Sequence, residues 1–170
     1  MHRDIKPSNI LLLEKPSMQA KLCDFGCSKQ IVGSIENHRS TPLVTSRFYR
    51  CTLNSGLMRR APELLMGATR YGFAIDIWSL GCVFAQLVNR FPLFPEDNEI
   101  GTLFAIFKCV FAHAITIRKF GTPTEETWPG ISQLEDYSPL YPKFPQRNIA
   151  IHFPTLDPMG VDLLSVALET

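Results

Sequence analysis

Two short apolar runs, separated by a polar turn, lie near the start of the 170-residue chain. Residues 9–13 read Asn-Ile-Leu-Leu-Leu and residues 20–23 read Ala-Lys-Leu-Cys, with charged residues and a proline between them. Apolar runs of this length around a turn predict a small β-hairpin. Such a hairpin would bring Asp24, which follows the second run, back beside Asn9, which opens the first.

Helical periods dominate the second half of the chain. Residues 75–88 carry few charges and repeat apolar side chains every three or four positions, which predicts a buried helix. Residues 99–111 and 160–168 predict two further helices, and the prolines within residues 91–95 end the first one. The predicted fold is therefore mainly α with one small β-hairpin. The apolar positions that define the first helix are Ile77, Leu80, Phe84 and Leu87 or Val88.

Composition and charge exclude several classes of function. A formal net charge of +1 gives no electrostatic reason to expect nucleic acid or an anionic membrane as a partner. The most apolar stretch, residues 103–117, contains a lysine and a histidine and is too short to span a bilayer comfortably. Five cysteines without paired spacing indicate reduced thiols, typical of the cytoplasm or nucleus, and neither a disulfide framework nor a zinc site.

Three short motifs follow one another along the chain. They are His2-Arg3-Asp4 with Asn9, then Asp24-Phe25-Gly26, then Ala61-Pro62-Glu63. In this order they resemble the signature set of eukaryotic protein kinases. The decapeptide of residues 121–130 is similar to a segment of cyclin-dependent kinases, and residues 21–26 are similar to glycogen synthase kinases. The resemblance therefore implies the group that contains both, with the mitogen-activated kinases, and the C-terminal (large) lobe of the protein-kinase-like fold.

The resemblance implies a phosphoryl-transfer site that uses ATP and Mg²⁺. Transfer of a phosphoryl group demands mainly positioning and charge neutralisation. Asp4 would accept the proton of the attacking hydroxyl group, and Lys6 would steady the γ-phosphate. Asn9 and Asp24 would hold magnesium ions, which prefer oxygen ligands. Taken singly, an aspartate beside an arginine is more often a surface ion pair, so the inference depends on the whole set.

Further residues are implied in regulation and in substrate binding. Arg3 would receive a phosphate group on the activation segment, because arginine pairs with phosphate bidentately. By its distance from the segment that begins at Ser46 and Arg47, Thr41 lies where related kinases carry their activating threonine; the alternative is an ordinary polar loop residue. Ser46 and Arg47 would border the substrate pocket. The expected partners are proteins with Ser/Thr-Pro sites and a cyclin-like or scaffold regulator.

Two acidic residues have structural roles by the same resemblance. Asp76 would hold the backbone of the His2-Arg3-Asp4 turn, and the alternative is a plain helix N-cap. In kinases the glutamate at the position of Glu63 pairs with an arginine, which here would lie beyond Thr170. We therefore expect Glu63 to be exposed or mispaired, because a buried carboxylate without a partner is costly.

The chain also departs from the kinase pattern. It begins at the catalytic loop, so residues 1–170 would be a partial kinase domain without the glycine-rich loop and strand lysine that orient ATP. Residues 51–60 and 109–119 would be insertions foreign to the family. We expect such a fragment to be inactive alone, with uncovered apolar faces around Trp78, Leu80 and Phe84. The alternative function is a non-catalytic scaffold or competitor that binds kinase substrates or regulators.

Peptide mapping of the endogenous protein by mass spectrometry tests the two insertions. Because removing them restores a near-regular family pattern, we expect peptides that join Arg50 directly to Ala61 and Lys108 directly to Phe120. Detection of peptides from within residues 51–60, with nothing upstream of Met1, would instead contradict this expectation and favour the binding hypothesis.

Overall fold

The computed structural model describes residues 1–13, 19–31, 57–109, 122–144 and 149–168. The predicted hairpin is confirmed. Strand β1 (Ile10–Leu13) pairs antiparallel with β2 (Gln19–Leu22), with Ile10 opposite Leu22 and Leu13 opposite Gln19. Most of its side chains are exposed, so backbone pairing and not a buried face defines this element within the described residues.

The other regular elements of the described residues are helical, as the sequence predicts. The chain forms α1 (Pro62–Leu65), α2 (Ala74–Asn89), α3 (Glu99–Cys109) and α4 (Pro158–Ala167). Short 3₁₀ turns cover Pro7–Asn9, Phe25–Cys27, Leu57–Arg59, Ile131–Gln133 and Ile149–His152. Residues 110 and 111, which the prediction gave to the third helix, lie outside the described part of the chain.

Local chemistry sets the ends of the two main helices. Helix α2 ends at Asn89 because Arg90 adopts a left-handed backbone conformation with φ 66°, so the stop comes before the prolines that were predicted to cause it. Helix α4 begins with Pro158 after the N-cap Asp157, whose carboxylate accepts a hydrogen bond from the N–H of Gly160 at 2.6 Å.

Helix α2 is the centre of the hydrophobic core. Its buried face carries Ile75, Trp78, Cys82 and Ala85, and the Trp78 ring stacks on Phe94 with 6.1 Å between centroids. Close approach of α4 depends on Gly81, which also lies on the buried face of α2. A Cβ atom at Gly81 would lie 3.0 Å from the Cβ of Ala167, so a larger residue would require groups at this helix contact to shift by a few tenths of an ångström.

Helix α2 is buried on one face only, whereas its low charge led us to expect a helix buried as a whole. Ile77, Leu80 and Leu87 are 50%, 47% and 72% exposed, and Phe84 is half-buried. Trp78, which we expected to be uncovered, is completely buried, whereas Leu80 is uncovered as expected. Both faces of this helix are apolar, so the helical period fits either one and does not distinguish them.

The described helices were compared with the length and apolar character that a membrane-spanning helix needs. Among the described residues, no helix is both long and apolar enough to cross a bilayer.

A matched pair of leucine truncations tests which side chains form the core. Leu103→Ala removes a side chain that is 2% exposed, and we expect it to lower the free energy of unfolding by about 2–5 kcal/mol. Leu87→Ala makes the same change on the exposed face of α2 and should alter it by less than about 0.5 kcal/mol. Urea unfolding followed by circular dichroism measures both. Equal losses would contradict this assignment of buried and exposed faces.

Candidate active site

The loop before β1 brings two polar side chains, those of Lys6 and Asn9, to the carboxylate of Asp4. The Lys6 ammonium group pairs with Oδ2 of Asp4 at 2.7 Å. The side-chain amide of Asn9 donates both to Oδ2 of Asp4 at 3.1 Å and to the Asp4 carbonyl oxygen at 2.9 Å. Asn9 is buried, whereas Asp4 and Lys6 are half-buried. The carboxylate is therefore held in place by neighbours yet remains accessible from solvent.

The hairpin brings a second carboxylate to the same place. The N–H of Cys23 donates to the Asn9 carbonyl oxygen at 3.0 Å, and a ring nitrogen of His2 lies 3.0 Å from the Cys23 carbonyl oxygen. Asp24 follows directly, with φ 61° and an exposed side chain. Its Oδ1 accepts from the N–H of Gly26 at 3.3 Å, which caps the turn at Phe25–Cys27.

Asp76, in the first turn of α2, fixes the backbone of the loop that carries Asp4. Its Oδ2 accepts from the N–H of His2 at 2.7 Å, and its Oδ1 accepts from the N–H of Arg3 at 2.8 Å. The helix N-cap is Phe73, so the alternative of a plain cap at Asp76 is wrong. Arg3 has φ 68°, a conformation that costs energy in a residue other than glycine. Two charge-assisted hydrogen bonds offset that cost.

Two arginines that the sequence analysis did not single out, Arg59 and Arg60, contact helices α2 and α3. Arg59 is 7% exposed and donates to Oε1 of Gln86 on α2 at 3.3 Å. Burial lowers the pKa of its guanidinium, and the neighbouring Cys82 thiol and Asp4 carboxylate oppose that shift. Arg60 pairs with Glu99 at the start of α3 at 3.0 Å. No pattern marked them, because both lie in a segment that was interpreted as an insertion.

Glu63 in α1 is a carboxylate in an apolar setting. Its Oε2 is buried and has no hydrogen-bond partner among the described residues, and the same is true of the Trp78 ring nitrogen. Burial raises the pKa of Glu63 to about 7, and a backbone hydrogen bond opposes the shift. We expected Glu63 to be exposed or mispaired; its Oε2 is instead buried, without a hydrogen-bond partner among the described residues.

Asn9 and Asp24 suit a magnesium ion. Asn9 donates through its amide nitrogen, which leaves its side-chain oxygen for a cation, and Oδ2 of Asp24 accepts no hydrogen bond from the described residues. The described residues contain no group of three or more His, Cys, Asp or Glu side chains that could enclose a metal ion. Two oxygen donors are nevertheless what Mg²⁺ requires when substrate phosphates complete its shell.

The geometry of this loop agrees with a comparison against protein families. The family model for the protein kinase domain matches residues 1–164. The chain belongs to the protein kinase family. Membership implies protein kinase function, a phosphoryl-transferase activity that uses ATP. The match does not distinguish the subgroups of kinases.

The kinase motifs are only partly within the described structure. Asp4, Lys6, Asn9 and Asp24 lie together at one edge of the hairpin, and Asp76 holds the loop that carries the first of them. The predicted phosphorylation and substrate-pocket residues lie outside the described residues; they are Thr41, Ser46 and Arg47.

The stability of this kinase domain should depend on the ionisation of Glu63. Its pKa of about 7 in the folded chain exceeds the ordinary value of 4.5, so the folded state binds more protons than the unfolded state between these values. The free energy of unfolding should therefore fall as pH rises from about 4.5 to about 7, by at most about 3 kcal/mol from this group.

Urea unfolding at a series of pH values measures this contribution. Glu63→Gln, which cannot ionise, should flatten the pH dependence across the window, whereas Glu126→Gln, at an exposed position, should leave it unchanged. A wild-type slope that persists in Glu63→Gln would show that another group is responsible.

Proposed function

We propose that this kinase domain transfers the γ-phosphate of ATP to the hydroxyl group of serine or threonine residues that are followed by proline. The observation that carries the proposal is the arrangement around Asp4. One carboxylate oxygen is occupied by Lys6 and Asn9, while the described residues leave Oδ1 without a hydrogen bond. A carboxylate held in this way can accept a proton from a hydroxyl group brought to its open oxygen.

Each neighbour has a role that follows from its charge and position. Bound magnesium would neutralise the phosphate charges, with Asn9 and Asp24 as its protein ligands. The Lys6 ammonium group forms an ion pair with Asp4 at 2.7 Å, and its remaining N–H groups could contact a phosphoryl oxygen at the same time. Asp76 keeps the backbone of the loop fixed, which matters because small displacements at such a site are costly for the rate.

Regulation and specificity form the finer part of the proposal. Arg3 would receive a phosphate group carried by Thr41, and Ser46 and Arg47 would border the pocket for the residue after the acceptor. Thr41 lies where the cyclin-dependent and mitogen-activated kinases carry their activating threonine, and the subgroup we propose contains these two and the glycogen synthase kinases. Protein substrates with Ser/Thr-Pro sites and a cyclin-like or scaffold regulator would be the partners.

The domain organisation is also proposed. Residues 1–170 would be part of a kinase large lobe, with insertions at residues 51–60 and 109–119. The end of the first proposed insertion is nevertheless integrated with the fold, since Ser79 on α2 donates to the Arg59 carbonyl oxygen at 3.1 Å and Arg60 pairs with Glu99.

Substitution of the proposed proton acceptor tests the catalytic role. In the endogenous protein isolated from cells, Asp4→Asn should lower kcat for transfer to a Ser-Pro peptide by about 10²- to 10⁴-fold. Asp162→Asn makes the same change at an exposed site on α4 and should leave kcat unchanged. Transfer is measured with radiolabelled ATP and Mg²⁺, and an otherwise identical Ser-Ala peptide tests the preference for proline.

The possible results separate the hypotheses. Transfer that Asp4→Asn does not reduce would refute the catalytic role of Asp4. Equal rates with both peptides would refute proline direction alone. A wild-type protein that transfers nothing, yet binds the Ser-Pro peptide, would support the scaffold hypothesis in place of the enzyme.

A further inference from the structure

The side chain of Arg3 is held at two points by different parts of the chain. Its Nε donates to the Cys27 carbonyl oxygen at 2.6 Å, just after the Asp24 turn. Its Nη1 donates to the hydroxyl oxygen of Tyr71 at 3.3 Å. One hydrogen bond leaves a planar guanidinium free to rotate about that bond, whereas two bonds to separate nitrogens fix its plane. The hydroxyl of Tyr71 is therefore the second fixed point.

Tyr71 is itself rigidly placed. Its side chain is 5% exposed and belongs to the core cluster that includes Ala61 and Ile75. It precedes Asp76 by five residues on the segment that leads into α2. The same short segment thus holds the backbone of Arg3 through Asp76 and its side chain through Tyr71. Such double support suits a residue whose φ of 68° must be imposed by its surroundings.

We propose that Tyr71 is a positioning residue, whose hydroxyl orients the Arg3 guanidinium to receive a phosphate monoester. This inference rests on the proposed function for the receiving role of Arg3. Within the described residues Nη2 makes no hydrogen bond, so its two N–H groups are available to phosphate oxygens. A phenylalanine ring would fill the same space in the core, so the proposal concerns the hydroxyl group and not the packing of the ring.

Arginine side-chain NMR on the full chain tests this role. In ¹⁵N-arginine-labelled protein, the Arg3 Nε–Hε resonance is assigned from its absence in Arg3→Gln. We expect Tyr71→Phe to accelerate rotation of the Arg3 guanidinium about its Cζ–Nε bond, and to weaken the binding of inorganic phosphate at Arg3 by about 5-fold. Tyr137→Phe is the matched control, since that ring packs on Tyr141 and not on Arg3, and it should change neither quantity.

Rotation of the Arg3 guanidinium tests the positioning role of Tyr71, and phosphate binding tests the receiving role of Arg3. If the Arg3 guanidinium rotates at the same rate in Tyr71→Phe as in the wild type, the positioning role of Tyr71 is wrong, whether or not phosphate binding changes. A wild-type Arg3 resonance that phosphate does not move would refute Arg3 as a phosphate receiver in the proposed function, and with it the purpose assigned to Tyr71. A lower unfolding midpoint in Tyr71→Phe with wild-type rotation would show that the hydroxyl only stabilises the fold, which also contradicts the proposal.

Discussion

The contact between Asp76 and the backbone of His2 and Arg3 is the constraint on which the site depends. It joins residues more than 70 positions apart and holds Arg3 in a left-handed conformation. Two short hydrogen bonds to one carboxylate fix both the position and the direction of the turn. Without them, the strained residue would relax, and Asp4, the next residue along, would lose its defined orientation.

Helix α2 therefore has two functions in this kinase domain. One face, with Trp78 and Cys82, forms the centre of the core, and its first turn supplies the anchor for the loop. Because the anchor is on a helix that packs against α4 through Gly81, the position of the loop is tied to the packing of the core. Packing and chemistry are connected here by one element.

The carboxylates of this structure differ in their exposure and in their hydrogen-bond partners. Asp4 and Asp24 remain accessible, where a substrate or cation can meet them, and Asp76 is satisfied by two backbone donors. Glu63 differs, because its buried oxygen has no hydrogen-bond donor among the described residues and burial raises its pKa. A carboxylate with this environment destabilises the fold when ionised, so its ionisation should make stability depend on pH.

The sequence by itself determined the types and order of the chemical groups. The hairpin and the main helices could be predicted, because their signals lie within short stretches, and the order of the motifs led to the kinase family. The buried face of α2 could not be predicted, since Ile77 and Leu80 are as apolar as Ile75 and Trp78, and only the surfaces packed against the helix select between them. The contacts of Tyr71 and Arg59 were likewise decided by tertiary structure. Each joins residues distant in sequence, and no local pattern records which distant group a side chain will meet.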